Sequence, residues 1–470
     1  MVKGRCSAAR RIRPLRAARS EERAGFEMEQ TQRTEFEEMG PVLRQAKLGS
    51  YLVIPLKYQR GALRWPEVEA LGRYYPITTA DLTESVKELL QREHPTSVGT
   101  CWEIGRDALV EALFAGGELP VRFSVLDGRG DGAPVPFDFH TSYLYLFHTQ
   151  VAFLCLGVTC SDIEALLRLR NPGFADDGWA GCRAAGGAGE EADFSLEEKL
   201  SALFARLGLA PFFGGGASPL LEAYTYLVAV TSQRFRQLDT IRQAAFNLHL
   251  MTPLDSASED DSEEDVRYVY AVKTQALGSY RWGCCVSSQT ACYVTANADG
   301  DLDGEMAAQA ADGLPMILLA LYEKYTCLRF TQLIAAADKR DMRQLRSLKR
   351  LMLEFRAYGT VDSANISRWH NVKQIYHAVM ETNRIPEAVE DITNKLNILV
   401  EHQRELEDAR NNTVAWVLTL FGIVSILASI LSIIQILSGG DPLAWFATIM
   451  STLVIAVLVA VVLIFRRKDE

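Results

Sequence analysis

VAWVLTLFGIVSILASILSIIQIL, residues 414–437, runs for 24 residues without Asp, Glu, Lys, Arg or His. As a helix it is about 36 Å long, enough to cross a hydrocarbon core about 30 Å thick. Ser438-Gly439-Gly440-Asp441-Pro442 follows, and then LAWFATIMSTLVIAVLVAVVLIF, residues 443–465, repeats the pattern. A connection this short returns the second helix to the side from which the first came, so a two-helix membrane hairpin is expected. Arg404 and Arg410 precede the first span, and Arg466, Arg467 and Lys468 lie in the 466–470 tail. The 438–442 loop holds only Asp441. The positive-inside bias therefore predicts a multi-pass cell-membrane protein with both termini cytoplasmic and the loop outside.

Upstream, no helix breaker occurs between Glu387 and Gly422. Val389, Ile392, Leu396, Leu399, Gln403, Leu406 and Arg410 recur at alternating steps of three and four, the spacing of a heptad seam. Residues 387–413 therefore read as a stalk helix continuous with the first span. A helix over 387–437 would be about 75 Å long and would leave its seam open, which predicts self-association. Within the span, Ser425, Ser429 and Ser432 fall within about 60° of one another at 100° per residue, with Gly422 and Gln435 flanking them. Hydroxyls on one face suit a conduction path, and Gly and Ser equally suit helix packing. The second span offers only Thr448, Ser451 and Thr452, as a lipid-facing partner would.

The rest of the 470-residue chain is large enough for a substantial core. A net charge of -10 excludes general binding to a nucleic-acid duplex and suits a surface that meets cations. Nine cysteines without a CxxC spacing, in a domain placed in the cytoplasm, read as reduced thiols. Cys284, Cys285 and Cys292 do not make a metal site, because neighbours on a strand point to opposite faces.

Residues 1–49 read as a disordered basic extension, with eight Arg or Lys before residue 27 and no apolar run to serve as a secretory signal. Residues 50–312 read as a cytosolic α/β (α+β) domain. Strands are expected at 51–56, 142–158 (a hairpin), 223–230, 267–275 and 280–286, and helices at 79–93 and 161–169. Ser195 to Glu198 forms a capping box opening a helix to about residue 207. Residues 127–132 and 171–193 read as loops. Residues 255–265, with seven carboxylates, lack the glycine and spacing of an EF-hand and read as a solvated insertion.

From 313 to 386 the pattern is helical. Residues 314–337 are strongly apolar but carry Glu323, Lys324 and Arg329, the mark of a core helix and not of a third span. Residues 338–358 bury Met342, Leu345, Leu348, Met352 and Phe355 and turn out a basic face with Arg343, Arg346 and Arg350, suited to an anion or simply to solvent. Residues 363–384 carry His370 and His377 on one face without a third ligand. No GxGxxG, P-loop, GxSxG or HExxH stands in a productive context, so an enzyme is not expected.

From 313 to 470 the order of helices, long helix entering the first span, short outer loop, second span and basic tail resembles the CorA family of two-span metal-ion transporters. The resemblance implies a homopentamer whose first span lines the pore and a cytosolic domain that senses the ion. It also implies a divalent cation such as Mg as the transported or regulatory ion, and no organic cofactor. The family's Gly-Met-Asn signature is replaced here by Ser438-Gly439-Gly440, without the asparagine that meets the hydrated ion. Divergent CorA-like proteins lacking the motif include some encoded with type III CRISPR systems. The alternative reading is therefore a ligand-gated membrane effector sensing an anionic nucleotide messenger through its cytosolic domain; a third is a membrane-anchored scaffold.

Overall fold

A computed structural model describes residues 35–437, except 60, 115–118, 127–132, 171–180, 187–189, 215–217, 258–264, 272–277 and 337–341, together with Phe446 and Met450. The chain divides into two compact units, residues 1–337 with 350–392, and residues 338–349 with 393–470. The first is a mixed α/β domain built on one large sheet. Its strands are β1 (Lys47–Lys57), β2 (Arg73–Tyr74), β3 (Gly99–Ile104), β4 (Arg122–Val125), β5 (Val135–Phe139), β6 (Ser142–Phe147), β7 (Val151–Cys160), β8 (Cys182–Ala185), β9 (Glu191–Phe194), β10 (Ala210–Pro211), β11 (Tyr224–Thr231), β12 (Arg267–Tyr270), β13 (Trp282–Val286) and β14 (Thr290–Ala296).

The main path runs β12-β13-β14-β11-β1-β7-β5-β4-β8-β9, and a branch leaves β7 through β6 and β3 to β2. All pairings are antiparallel except β11 with β14. The hairpin expected at 142–158 is β6 and β7, joined through Gln150 in the left-handed region at φ 68°. β1, β6, β7 and β11 are buried on both faces, so neither face alternates with water.

Leu52, Ile54, Leu56, Leu154, Leu156 and Leu227 share a core with Leu200 and Leu203 of the helix Leu196–Leu207, Ile241 and Leu248 of the helix Leu238–His249, and the aromatic rings of Trp102, Phe123 and Phe137. A second group of aromatic contacts covers Tyr51, Phe147 and Phe153. There Tyr51 donates to the Met306 carbonyl at 3.0 Å, Phe147 stacks on Tyr322 at 4.2 Å, and Phe153 meets Tyr325 edge-on at 5.5 Å. The contacts of Tyr322 and Tyr325 lay the helix Gly313–Ala336 across the sheet, while Met306 belongs to the preceding helix Leu302–Ala311; cover of this kind explains why Gly313–Ala336 is apolar nearly all round. The helix His370–Thr382 packs outside it. Gly157 permits a close approach: a Cβ there would run into the Thr141 carbonyl oxygen.

Several local expectations match. Ser195 Oγ accepts from Glu198 N at 3.3 Å, and the helix it opens closes at Gly208 with φ 77°. Others need correction. Residues 35–44 are helical, with Met39 and Leu43 in the core, so order begins before the boundary set at residue 50. The loop expected at 171–193 contains β8 and β9. Both lack β-branched residues, and Arg183 clamps them by pairing with Asp193 at 2.7 Å and Glu191 at 3.2 Å. The helix expected at 79–93 shrinks to Glu84–Glu88, and β12 stops at Tyr270. Most of the acidic segment 255–265 and the loop 127–132 lie outside the described residues, as does the N-terminal extension up to residue 34.

Candidate functional site

One helix, Ile385–Leu437, runs unbroken for 53 residues, about 80 Å. Pro386 stands in its first turn, where its missing N–H costs no hydrogen bond, and Glu387 complements the dipole there. Asn411–Ile434 is long and apolar enough to cross a membrane, and its most apolar window has no buried residue. Trp416 is 70% exposed and Leu437 81%, an exposure of apolar surface that water does not tolerate over so long a stretch. This is the one such helix among the described residues. The outer loop Ser438, Gly439, Gly440 and Asp441, the tail and the expected second span lie outside the described residues, save that Phe446 and Met450 are helical.

Coverage divides the membrane helix into faces. Val417, Leu420, Val424, Ala428 and Leu431, at steps of three and four, are partly covered, while their neighbours are open. Ser425, Ser429 and Ser432 lie off this stripe and are exposed. Among the described residues, no atom outside the helix's own backbone lies within 4 Å of where a Cβ on Gly422 would stand. The Ser429 hydroxyl donates to the Ser425 carbonyl at 2.8 Å, as Thr419 does to Ala415. The proton is thus satisfied by the backbone, and the hydroxyl oxygen keeps a lone pair for an outward partner. The side chain of Gln435 is outside the description.

The stalk departs from its expectation. Ile392, Leu396 and Gln403 are buried in the single chain, and Val389 and Leu399 are partly buried. An open seam was the reason to expect self-association, and at these positions the seam is not open. A coiled coil between copies is therefore not needed to cover them. Gln403 Nε2 is buried without a hydrogen-bond partner among the described residues. The side chains of Leu406 and Arg410 are not described.

The basic face over 338–358 is not gathered into a site. The α-helix there is Met342–Glu354, continued by a π-turn at Phe355–Gly359 that the periodicity does not reveal. Arg343, Arg346 and Arg350 are exposed, and Arg350 pairs with Glu354 at 2.7 Å. Leu348, Met352 and Phe355 are buried as expected. His370 and His377 are both exposed, and no cluster of three metal-ligating side chains occurs among the described residues.

Sequence reasoning named the charged residues of the core helix but not their partners. Glu323, 2% exposed, accepts from Val361 N at 2.8 Å and from Tyr376 Oη at 3.1 Å, and burial pushes its carboxyl up to about 7. Arg329 is 9% exposed and donates to Gln150 Oε1 at 3.1 Å and Gln332 Oε1 at 3.4 Å. The available signal was three charged residues in an otherwise apolar 24-residue helix.

No family model matches the sequence, and no curated protein matches it. A solved structure described as the structure of the full-length CmaX protein aligns with 53% of this chain and 89% of its own, at 18% identity and a TM-score of 0.16. A likeness at that score carries no argument about fold or function.

Proposed function

We propose that the chain is a membrane-anchored, CorA-like cation channel or transporter, oligomeric about its first span, with the α/β domain in the cytoplasm. The observation that supports this most is the single helix Ile385–Leu437, which starts beside an α/β domain and ends in an uncharged, uncovered apolar stretch. A serine face off the covered stripe gives each copy a weakly polar surface to turn toward a shared axis. Residues 443–465 complete the hairpin in this reading, and Asp441 supplies the one charge at the outer mouth. A ring of carboxylates there concentrates cations of either valence without a fitted coordination shell, so selectivity is broad and Mg is one carried ion among several.

The test is cation flux into liposomes containing the purified protein. Wild-type protein carries Mg and monovalent cations alike. Asp441→Asn lowers flux most at low salt, because at about 0.15 M the Debye length is near 8 Å and screens the ring. An absence of flux for every cation sinks the transport reading. The second reading, a membrane effector gated by an anionic messenger, is favoured by two cations in the α/β domain, Lys57 and Arg329, that make no ion pair among the described residues.

A further inference from the structure

Lys57 closes β1, and its register partner on β7 is Val151. The residue before Val151 is Gln150, whose side-chain oxygen receives the Arg329 guanidinium at 3.1 Å. Lys57 Nζ donates to the Phe212 carbonyl at 2.7 Å and lies 5.9 Å from the centre of the Phe212 ring. That ring packs edge-on against Tyr325 at 4.9 Å, one helical turn before Arg329. Strand end, hairpin turn and core helix thus bring two cations to one corner.

Neither cation meets a carboxylate among the described residues. Among the described residues their hydrogen-bond acceptors are neutral oxygens, the Phe212 carbonyl for Lys57 and the Gln150 and Gln332 amides for Arg329, and neither makes an ion pair. Arg329 Nε is buried with no hydrogen-bond partner among the described residues. Burial lowers the affinity of Arg329 for its proton, and burial together with the Arg329 charge pushes the Lys57 amine down. A buried guanidinium without a counter-charge costs several kcal/mol in general, and a second cation beside it adds to that cost. Gln150 holds its place in a left-handed conformation that a non-glycine residue adopts at a cost of about 1–2 kcal/mol. Lys57, Gln150 and Gln332 are partly exposed, so the corner opens to solvent.

We infer that Lys57 and Arg329, framed by Gln150 and Gln332, form a binding site for a small phosphate-bearing anion on the cytosolic domain. The planar guanidinium offers a fork to two phosphate oxygens and the ammonium a point charge to a third, and two positive charges match a phosphate dianion. The site deepens the ligand-gated reading. Its test measures binding alone, so its failure leaves ion flux untouched, and an absence of flux leaves the site standing.

The test uses the full chain in detergent at constant ionic strength, titrated with inorganic phosphate and with pyrophosphate, with citrate as a carboxylate comparison. Calorimetry should show saturable binding of one phosphate or pyrophosphate per chain, tighter than citrate. Lys57→Gln should weaken it about tenfold or more, the loss of one charge-assisted hydrogen bond. Without added anion the same variant should melt at or above the parent, because a like-charge repulsion is gone. Arg329→Lys, which keeps the charge, should retain saturable binding; if that variant does not fold, the Lys57→Gln comparison decides. No saturable binding of either probe, or equal affinity in Lys57→Gln, overturns the site. A Lys57→Gln protein that melts lower without anion shows a lysine serving packing and also overturns it.

Discussion

The Tyr376 hydroxyl donates to Glu323 Oε1 at 3.1 Å, joining the helix His370–Thr382 to the helix Gly313–Ala336. The same hydroxyl lies 3.2 Å from the Val361 carbonyl, so its one proton chooses between two acceptors. Protonation of Glu323 removes the charged acceptor and favours the Val361 carbonyl. Burial raises the Tyr376 hydroxyl's hold on its proton, and the negative charges of Glu323 and Asp362 add to that.

Stability should fall as pH rises through the range where Glu323 titrates. Burial lifts its carboxyl from 4.5 to about 7, so between those values the folded state holds a proton that the unfolded chain has released. The contribution is fully present below about pH 4.5 and lost by about pH 7, roughly 3 kcal/mol at about 1.36 kcal/mol per pKa unit. Denaturant melts of the parent and of Glu323→Gln at pH 5 and pH 8 should show the variant gaining on the parent across that window. Parallel pH profiles would place the titration elsewhere.

Leu396→Ala should destabilise the single chain. Leu396 is 2% exposed, and truncation of a buried leucine costs about 2–4 kcal/mol. The drop in melting temperature should not depend on protein concentration. A strong concentration dependence would mean that a second copy covers Leu396 after all.

Cysteines at Ser425, Ser429 and Ser432 should react with small water-soluble thiol reagents in membranes, whereas cysteines at Ile426 and Leu431 should not. Ile426 is exposed on a face of bulky apolar residues and Leu431 lies on the covered stripe. Protection at all five positions would make the serine face a packing surface.

Gly157→Ala should lower stability by about 1–3 kcal/mol, because the added methyl meets backbone and not a side chain that can swing away. Thermal unfolding of the variant reads this directly. An unchanged melting temperature would mean that β7 and the turn before β6 are free to separate.

What was legible in the sequence was whatever rested on an apolar run or a period. Residues 51–56 are an apolar run, so β1 could be read, and the uncharged run at 414–437 announced the membrane helix. β8 and β9 could not be read, since their pairing depends on Arg183 meeting Asp193 and Glu191 across strands and not on apolar alternation. The stalk seam was legible as a period, but period does not say which surface covers Leu396. Lys57 and Arg329 are 272 positions apart, and only the pairing of β1 with β7 and the lie of the core helix bring them to one corner.

The outer strands of the sheet bear on how copies of this protein meet. β2 has two residues, and Arg73 on it pairs with Glu103 of β3. β9 carries Glu191 and Asp193, already clamped by Arg183, and Arg267 of β12 is tied to Glu381 at 3.2 Å. Short length and fixed charges are the means by which natural sheets discourage a foreign strand from docking. A domain this rich in strand should therefore stay soluble at high concentration, and fibrillar growth by strand addition should be suppressed. Whatever association the protein undergoes then falls to its helices.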